Sequence, residues 1–161
     1  MTAKHPLDCH ERALRLLSVR PRSRRELQRR LLRAGFEGDE VEDELVRLEA
    51  VGLVDDDAFA RQVVEHELTV RRSGRRAVSG RLLGNGVDRD TVDRALEEVT
   101  AEDDEARAVD LAMGRARRLE GLPPERAFQR LFSFLARRGY DASVARRAAR
   151  RALGVDGDET A

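Results

Sequence analysis

Leu31-Leu32-Arg33-Ala34-Gly35-Phe36 decides the fold, because the same run returns as Leu82-Leu83-Gly84-Asn85-Gly86-Val87 and as Leu135-Ala136-Arg137-Arg138-Gly139-Tyr140. Gly35, Gly86 and Gly139 stand 51 and 53 residues apart. Six residues after each comes Val41, Val92 or Ala145, ten after it Leu45, Leu96 or Ala149, and thirteen after it Leu48, Val99 or Ala152. Those offsets trace one stripe of a helix, so each glycine divides a helix that has closed from one about to start. A fixed period of about fifty residues marks stacked supersecondary units.

Working outward, Ala13, Leu14, Leu16 and Leu17 form a helical stripe that ends near Arg20-Pro21, and Ser23 with Glu26 makes a capping-box pattern for the next helix. Asp39 or its neighbour starts a third helix that ends at Gly52. Asp55-Asp56-Asp57 and Asp88 supply caps in the second repeat, and Pro123-Pro124 opens a helix in the third. The expected architecture is all-α: three tandem three-helix bundles in an elongated, curved arrangement, with repeats over 10–54, 55–101 and 102–154. A short tail over 1–9 precedes them, and an acidic, disordered tail over 155–161 follows.

Apolar residues make up 40 % of the 161 positions but aromatics only 4 %, with no Trp, so the core must be built from Leu, Val and Ala. Net charge is zero, yet the charge is sorted along the chain: +7 over 1–35, −9 over 36–60, +4 over 61–86, −7 over 87–110, +8 over 111–154 and −3 over 155–161. Basic and acidic helices therefore alternate with the repeat, either as opposed stripes or as pairs within each module. Lys4 is the one lysine, and the arginine bias fits either phosphate and carboxylate recognition or a GC-rich genome.

Enzymatic chemistry finds no footing. His5, His10 and His66 are scattered, Cys9 is alone, and no phosphate loop, GxSxG or HExxH occurs. Asp55-Asp56-Asp57 reads as a cap rather than a cation site, so neither metal nor cofactor is expected. No apolar run approaches a membrane span, and a cytoplasmic monomer is expected. What remains is a binding protein whose surface is set by helical geometry. If Leu27 and Leu31 face inward, Arg25, Arg29 and Arg33 form an outward ridge with Arg22 at its start. Arg71, Arg72, Arg75, Arg76 and Arg81 belong to the middle repeat, while Arg146, Arg147, Arg150 and Arg151 lie beside the alanine stripe of the last helix. Such ridges suit phosphates or an acidic protein groove.

Ala13-Leu14-Arg15-Leu16-Leu17, Arg20-Pro21-Arg22-Ser23-Arg24-Arg25-Glu26-Leu27, Gly52-Leu53-Val54-Asp55-Asp56-Asp57-Ala58-Phe59-Ala60 and the run from Gly74 through Val78 and Leu82 to Gly86-Val87 together resemble the RecX family, regulators of the bacterial recombinase RecA. The third repeat departs from the pattern in lacking an Asp-Asp-x-x-Phe segment. The resemblance implies a protein that lies along the RecA filament on single-stranded DNA and inhibits ATP hydrolysis, strand exchange and coprotease activity, with no catalytic residues. Two other readings stay open: a helical DNA-binding protein acting without RecA, in which weak direct DNA contact becomes the main activity, and a scaffold for an unrelated protein.

Overall fold

A computed structural model describes residues 7–155, so the tail residues up to 6 and the acidic segment from 156 onward lie outside the described residues. Among the described residues every regular element is helical: α1 (Cys9–Val19), α2 (Arg24–Arg33), α3 (Gly38–Ala50), α4 (Asp56–Thr69), α5 (Arg75–Gly84), α6 (Arg89–Ala95), α7 (Ala101–Ala116), α8 (Pro124–Arg137) and α9 (Ala142–Ala152), with a 3₁₀ turn at Arg117–Leu119. This is the all-α order the glycine spacing calls for. At the three repeated turns Gly35, Gly86 and Gly139 have φ of 97°, 82° and 90°. The residue after each sends its amide back to the leucine five positions earlier: Phe36 to Leu31, Val87 to Leu82 and Tyr140 to Leu135.

The helices sort into two compact units, Met1–Val63 with Arg81–Ala95 and Val64–Gly80 with Leu96–Ala161. In the first, Cys9 and Ala13 of α1, Leu27 and Leu31 of α2, and Val41, Leu45 and Leu48 of α3 make one core with Val54. In the second, Ala108 and Ala112 of α7 meet Ala145, Ala148 and Ala149 of α9, while Leu131 and Leu135 of α8 fill the remaining side. Small side chains on both α7 and α9 let those helices approach closely, which replaces the aromatic bulk the composition lacks.

Inside each unit the start of one helix is locked against a later part of the chain, and the two locks share a design. In the first unit the backbone N–H of Arg24, at the first position of α2, donates to Asp56 Oδ1 at 2.8 Å. The Arg24 guanidinium reaches Glu42 and Glu49 of α3, and Ser23 Oγ donates to the carbonyl of Asn85. In the second unit the N–H of Arg75, at the first position of α5, donates to both oxygens of Asp104 at 3.1 Å. Its guanidinium reaches the carbonyls of Leu96 and Val99, and the N–H of Gly74 donates to the carbonyl of Arg138 at 2.9 Å. Ser23 to Gly74 and Arg24 to Arg75 are steps of 51, and Asn85 to Arg138 is a step of 53, the same steps that separate the glycines. Free N–H groups at a helix start need partners, and here a carboxylate on a later helix supplies one.

Two of the repeated glycines sit at these locks. A methyl on Gly86 would lie 2.8 Å from Cβ and Cδ of Arg25. Gly139 faces Gly74 and Ala77 so closely that a methyl on Gly74 would run into the Gly139 carbonyl, and one on Gly139 into Ala77. Tyr140, 1 % exposed, seals the second lock by donating its hydroxyl to the carbonyl of Arg72 at 2.7 Å.

Ser23 does accept from the N–H of Glu26 at 3.1 Å, as the capping-box pattern requires. The reciprocal arm differs, because the Glu26 carboxylate is occupied by Arg20, Arg22 and Arg30. The complete boxes are Asp8 with Glu11 on α1 and Thr100 with Asp103 on α7.

Gly74→Ala is expected to cost about 1–3 kcal/mol by overpacking. Gly80→Ala, inside α5 where an added methyl meets nothing within 4 Å, should gain roughly 0.5–1 kcal/mol. Urea unfolding of both variants checks the pair.

Candidate partner-binding interface

Leu27 and Leu31 are fully buried, which fixes the rotation of α2 and leaves Arg25, Arg29 and Arg33 exposed on its other side. Arg22 departs from the ridge expected to begin with it. It is 6 % exposed, its Nε donates to the carbonyl of Leu16 at 3.1 Å, and its guanidinium pairs with Glu26. The carbonyl of Leu16 near the end of α1 and the Glu26 carboxylate on α2 together capture its donors before they can reach solvent. Burial pushes the Glu26 carboxyl up, but the hydrogen bonds from Arg20, Arg22 and Arg30 outweigh it and hold Glu26 below the usual carboxylate range.

With Glu26 neutralised in this way, the neighbouring cations dominate. Arg29, Arg30 and Arg33 of α2 and Arg12 of α1 line a cleft of about 360 Å³ floored by Leu16 and Ala34. Arg12, Arg29 and Arg33 have no ion pair among the described residues. Sequence reasoning missed Arg12 and Arg30. The signal for Arg30 was its i,i+4 spacing from Glu26; Arg12 belongs to a separate helix, and only packing brings it to α2.

The middle arginines divide. Arg75 is half-buried in its lock, where its guanidinium donates to the carbonyls of Leu96 and Val99 in the segment that follows α6. Arg72, with φ 53°, pairs with Asp110 at 3.4 Å, and Arg71 lies 3.7 Å from Glu67. Arg76 and Arg81 are exposed. On α9 the buried Val144, Ala145, Ala148 and Ala149 turn Arg146, Arg147 and Arg151 outward, with Arg150 half-buried. Arg147 pairs with Glu105 of α7 at 2.9 Å.

The three consecutive aspartates are all engaged in structure. Asp55 accepts the N–H of Ala58, Asp56 that of Arg24, and Asp57 pairs with Arg94. Among the described residues no group of three His, Cys, Asp or Glu side chains is placed to hold a metal, and no helix is long and apolar enough to cross a membrane. Burial, with Glu40, Glu44 and Asp8 nearby, pushes the Cys9 thiol up to about 11, far from a reactive thiolate.

An all-helical chain with locked helix starts and outward arginines is matched by family models for the RecX first three-helix domain over residues 9–48 and the RecX third three-helix domain over residues 102–149. Regulatory protein RecX of Streptomyces coelicolor is 37 % identical over 147 residues, covering 91 % of this chain and 78 % of that protein. The chain belongs to the RecX family. Regulatory protein RecX of Thermobifida fusca is 38 % identical over 158 residues, covering 96 % of the chain and 85 % of the relative. Among solved structures, RecX from Lactobacillus salivarius superposes with a TM-score of 0.81 at 19 % identity, over 90 % of this chain and 94 % of that one. A second RecX regulatory protein gives 0.72 at 27 % identity, over 84 % and 67 %. The relatives are named as regulatory proteins, not as enzymes.

The lowered Glu26 carboxyl stabilises the fold at neutral pH, and that stability is lost as pH falls below about 4.5 toward its lower folded value. Glu26→Gln should cost roughly 1.5–3 kcal/mol at pH 7 by weakening charged hydrogen bonds. The variant should also show a flatter loss of stability as pH falls below about 4.5 in urea titrations.

Proposed function

We propose that this RecX-family chain binds the RecA filament on single-stranded DNA and inhibits its ATP hydrolysis, strand exchange and coprotease activity, without chemistry of its own. The observation that carries this reading is the family match along 91 % of the chain. In this reading Arg29 and Arg33 belong to the binding surface; they are exposed on a helix whose start is clamped by Asp56 and on which Leu27 and Leu31 are fully buried. Arg146 and Arg151 on α9 offer a second such face in the other unit. We read the chain as three three-helix repeats over 10–54, 55–101 and 102–154, acting as a cytoplasmic monomer. Several modest contacts carried on one chain then add through effective concentration.

Direct DNA binding is the second reading, favoured by the arginine cleft of α1 and α2. Titrating a matched RecA's DNA-dependent ATP hydrolysis with the chain, beside DNA binding by the chain alone over a salt series, separates the two. Inhibition well below one chain per RecA protomer supports the filament reading. Absence of inhibition at equimolar ratio, with steeply salt-dependent DNA binding, favours the second.

Within the filament reading, Arg29→Glu with Arg33→Glu should raise the concentration for half-inhibition at least about tenfold, equivalent to about 1.4 kcal/mol. Thermal unfolding should be nearly unchanged, because neither side chain touches the core. Arg25 is unsuited to this test, since its stem packs on Gly86. Unaltered inhibition removes the α2 face from the interface.

A further inference from the structure

Both filled locks need a helix that starts with donors. α2 starts Ser23-Arg24-Arg25 and α5 starts Gly74-Arg75-Arg76, and in each the first residue of the helix gives its backbone N–H to an aspartate of a later helix. The corresponding helix of the third repeat, α8, starts Pro123-Pro124-Glu125. Neither proline has an N–H, and the third position carries the opposite charge. α8 is also longer, 14 residues against 10 for α2 and α5. Counting 11 residues back from each glycine gives Arg24, Arg75 and then Phe128, which lies past the first turn of α8, where amides are spent within the helix. By either alignment the third copy of the lock has no amide to offer.

The same region is largely apolar. A groove of about 630 Å³ beside Pro124 is lined by Met113, Leu122, Leu153 and Val155 together with Arg117 and Glu120, with Met113 53 % and Val155 48 % exposed. An open repeat with an apolar outer face invites head-to-tail joining, and that contact is heterologous and does not close on itself. Of the receiving half, the glycine is accessible on every copy of the chain, because Gly35 is exposed whereas Gly86 is half-buried and Gly139 buried.

We infer that the Pro123-Pro124-Glu125 start of α8 is a plug that keeps a second copy of this chain from locking onto the third repeat as the second and third repeats lock onto the helix starts before them. Proline suits this task because at the first position of a helix it costs the helix nothing while deleting the donor a neighbour would use. The device is the helical counterpart of protecting an exposed sheet edge.

Sedimentation velocity over a concentration series tests the plug. The unmodified chain should sediment as one species throughout. Pro123→Ser, Pro124→Arg and Glu125→Arg combined, which copy the start of α2, should give an apparent mass that climbs with concentration. A folded triple variant that stays monomeric, or an unmodified chain that already polymerises, overturns the inference. Should the triple variant not fold, the converse pair decides. Arg75→Pro and Arg75→Ala both lose the guanidinium, but only the proline loses the N–H held by Asp104, so its urea midpoint should be the lower. Equal midpoints would show that the amide contributes nothing to joining and would remove the basis of the plug.

Discussion

A backbone amide at the start of a helix, held by a carboxylate on a later helix, is the contact on which the rest of this molecule depends. Arg24 with Asp56 and Arg75 with Asp104 are two copies of it. In a free helix these N–H groups would face water, since nothing within the helix can accept from them. Here a charged acceptor takes them, and each charge sits where the positive end of the helix dipole favours it. Burial pushes the Asp56 carboxyl up, while the Arg24 amide pulls it back down; the net effect is upward. The aspartate is thus drawn into the protein at an electrostatic cost, which the amide bond and the adjacent close packing at Gly86 offset in part.

This contact explains how one residue type serves two purposes. Arginine carries five donors in a rigid fork. Arg75 uses its fork on the carbonyls of Leu96 and Val99, and Arg22 uses its own on Leu16 and Glu26, so both act as internal fasteners. Arg29, Arg33, Arg146 and Arg151 differ only in where helix rotation points them, which is outward. A chain of zero net charge therefore presents strongly basic faces. Such a local excess, rather than the total, governs the field around a charged face.

Much of the fold was legible because it is written in short-range periodicity. The leucines before Gly35, Gly86 and Gly139 and the apolar residues after them announce two helices and the turn between, and the left-handed φ at each glycine is what that pattern demands. Exposure of Arg25, Arg29 and Arg33 followed from the burial of Leu27 and Leu31 by the same helical rotation. The locks were not legible. Ser23 and Asn85 are 62 residues apart, Arg75 and Asp104 are 29 apart, and no periodicity links them. Arg22 looked like the start of an exposed ridge because helix rotation was extended two residues before the helix, into a segment where the carbonyl of Leu16 and the carboxylate of Glu26 redirect it. The arginine cleft escaped notice in part for the same reason, since Arg12 reaches α2 only through packing.

Hydrogen exchange resolved to single amides tests the lock most directly. First-turn amides of a helix ordinarily exchange fast, as their partners are water molecules. The amides of Arg24 and Arg75 should instead be protected to a degree approaching those of Leu31 and Leu135 in the cores, and Asp56→Ala or Asp104→Ala should abolish protection at the matching arginine. Rapid exchange at both positions in the unmodified chain would contradict the structure's central contact.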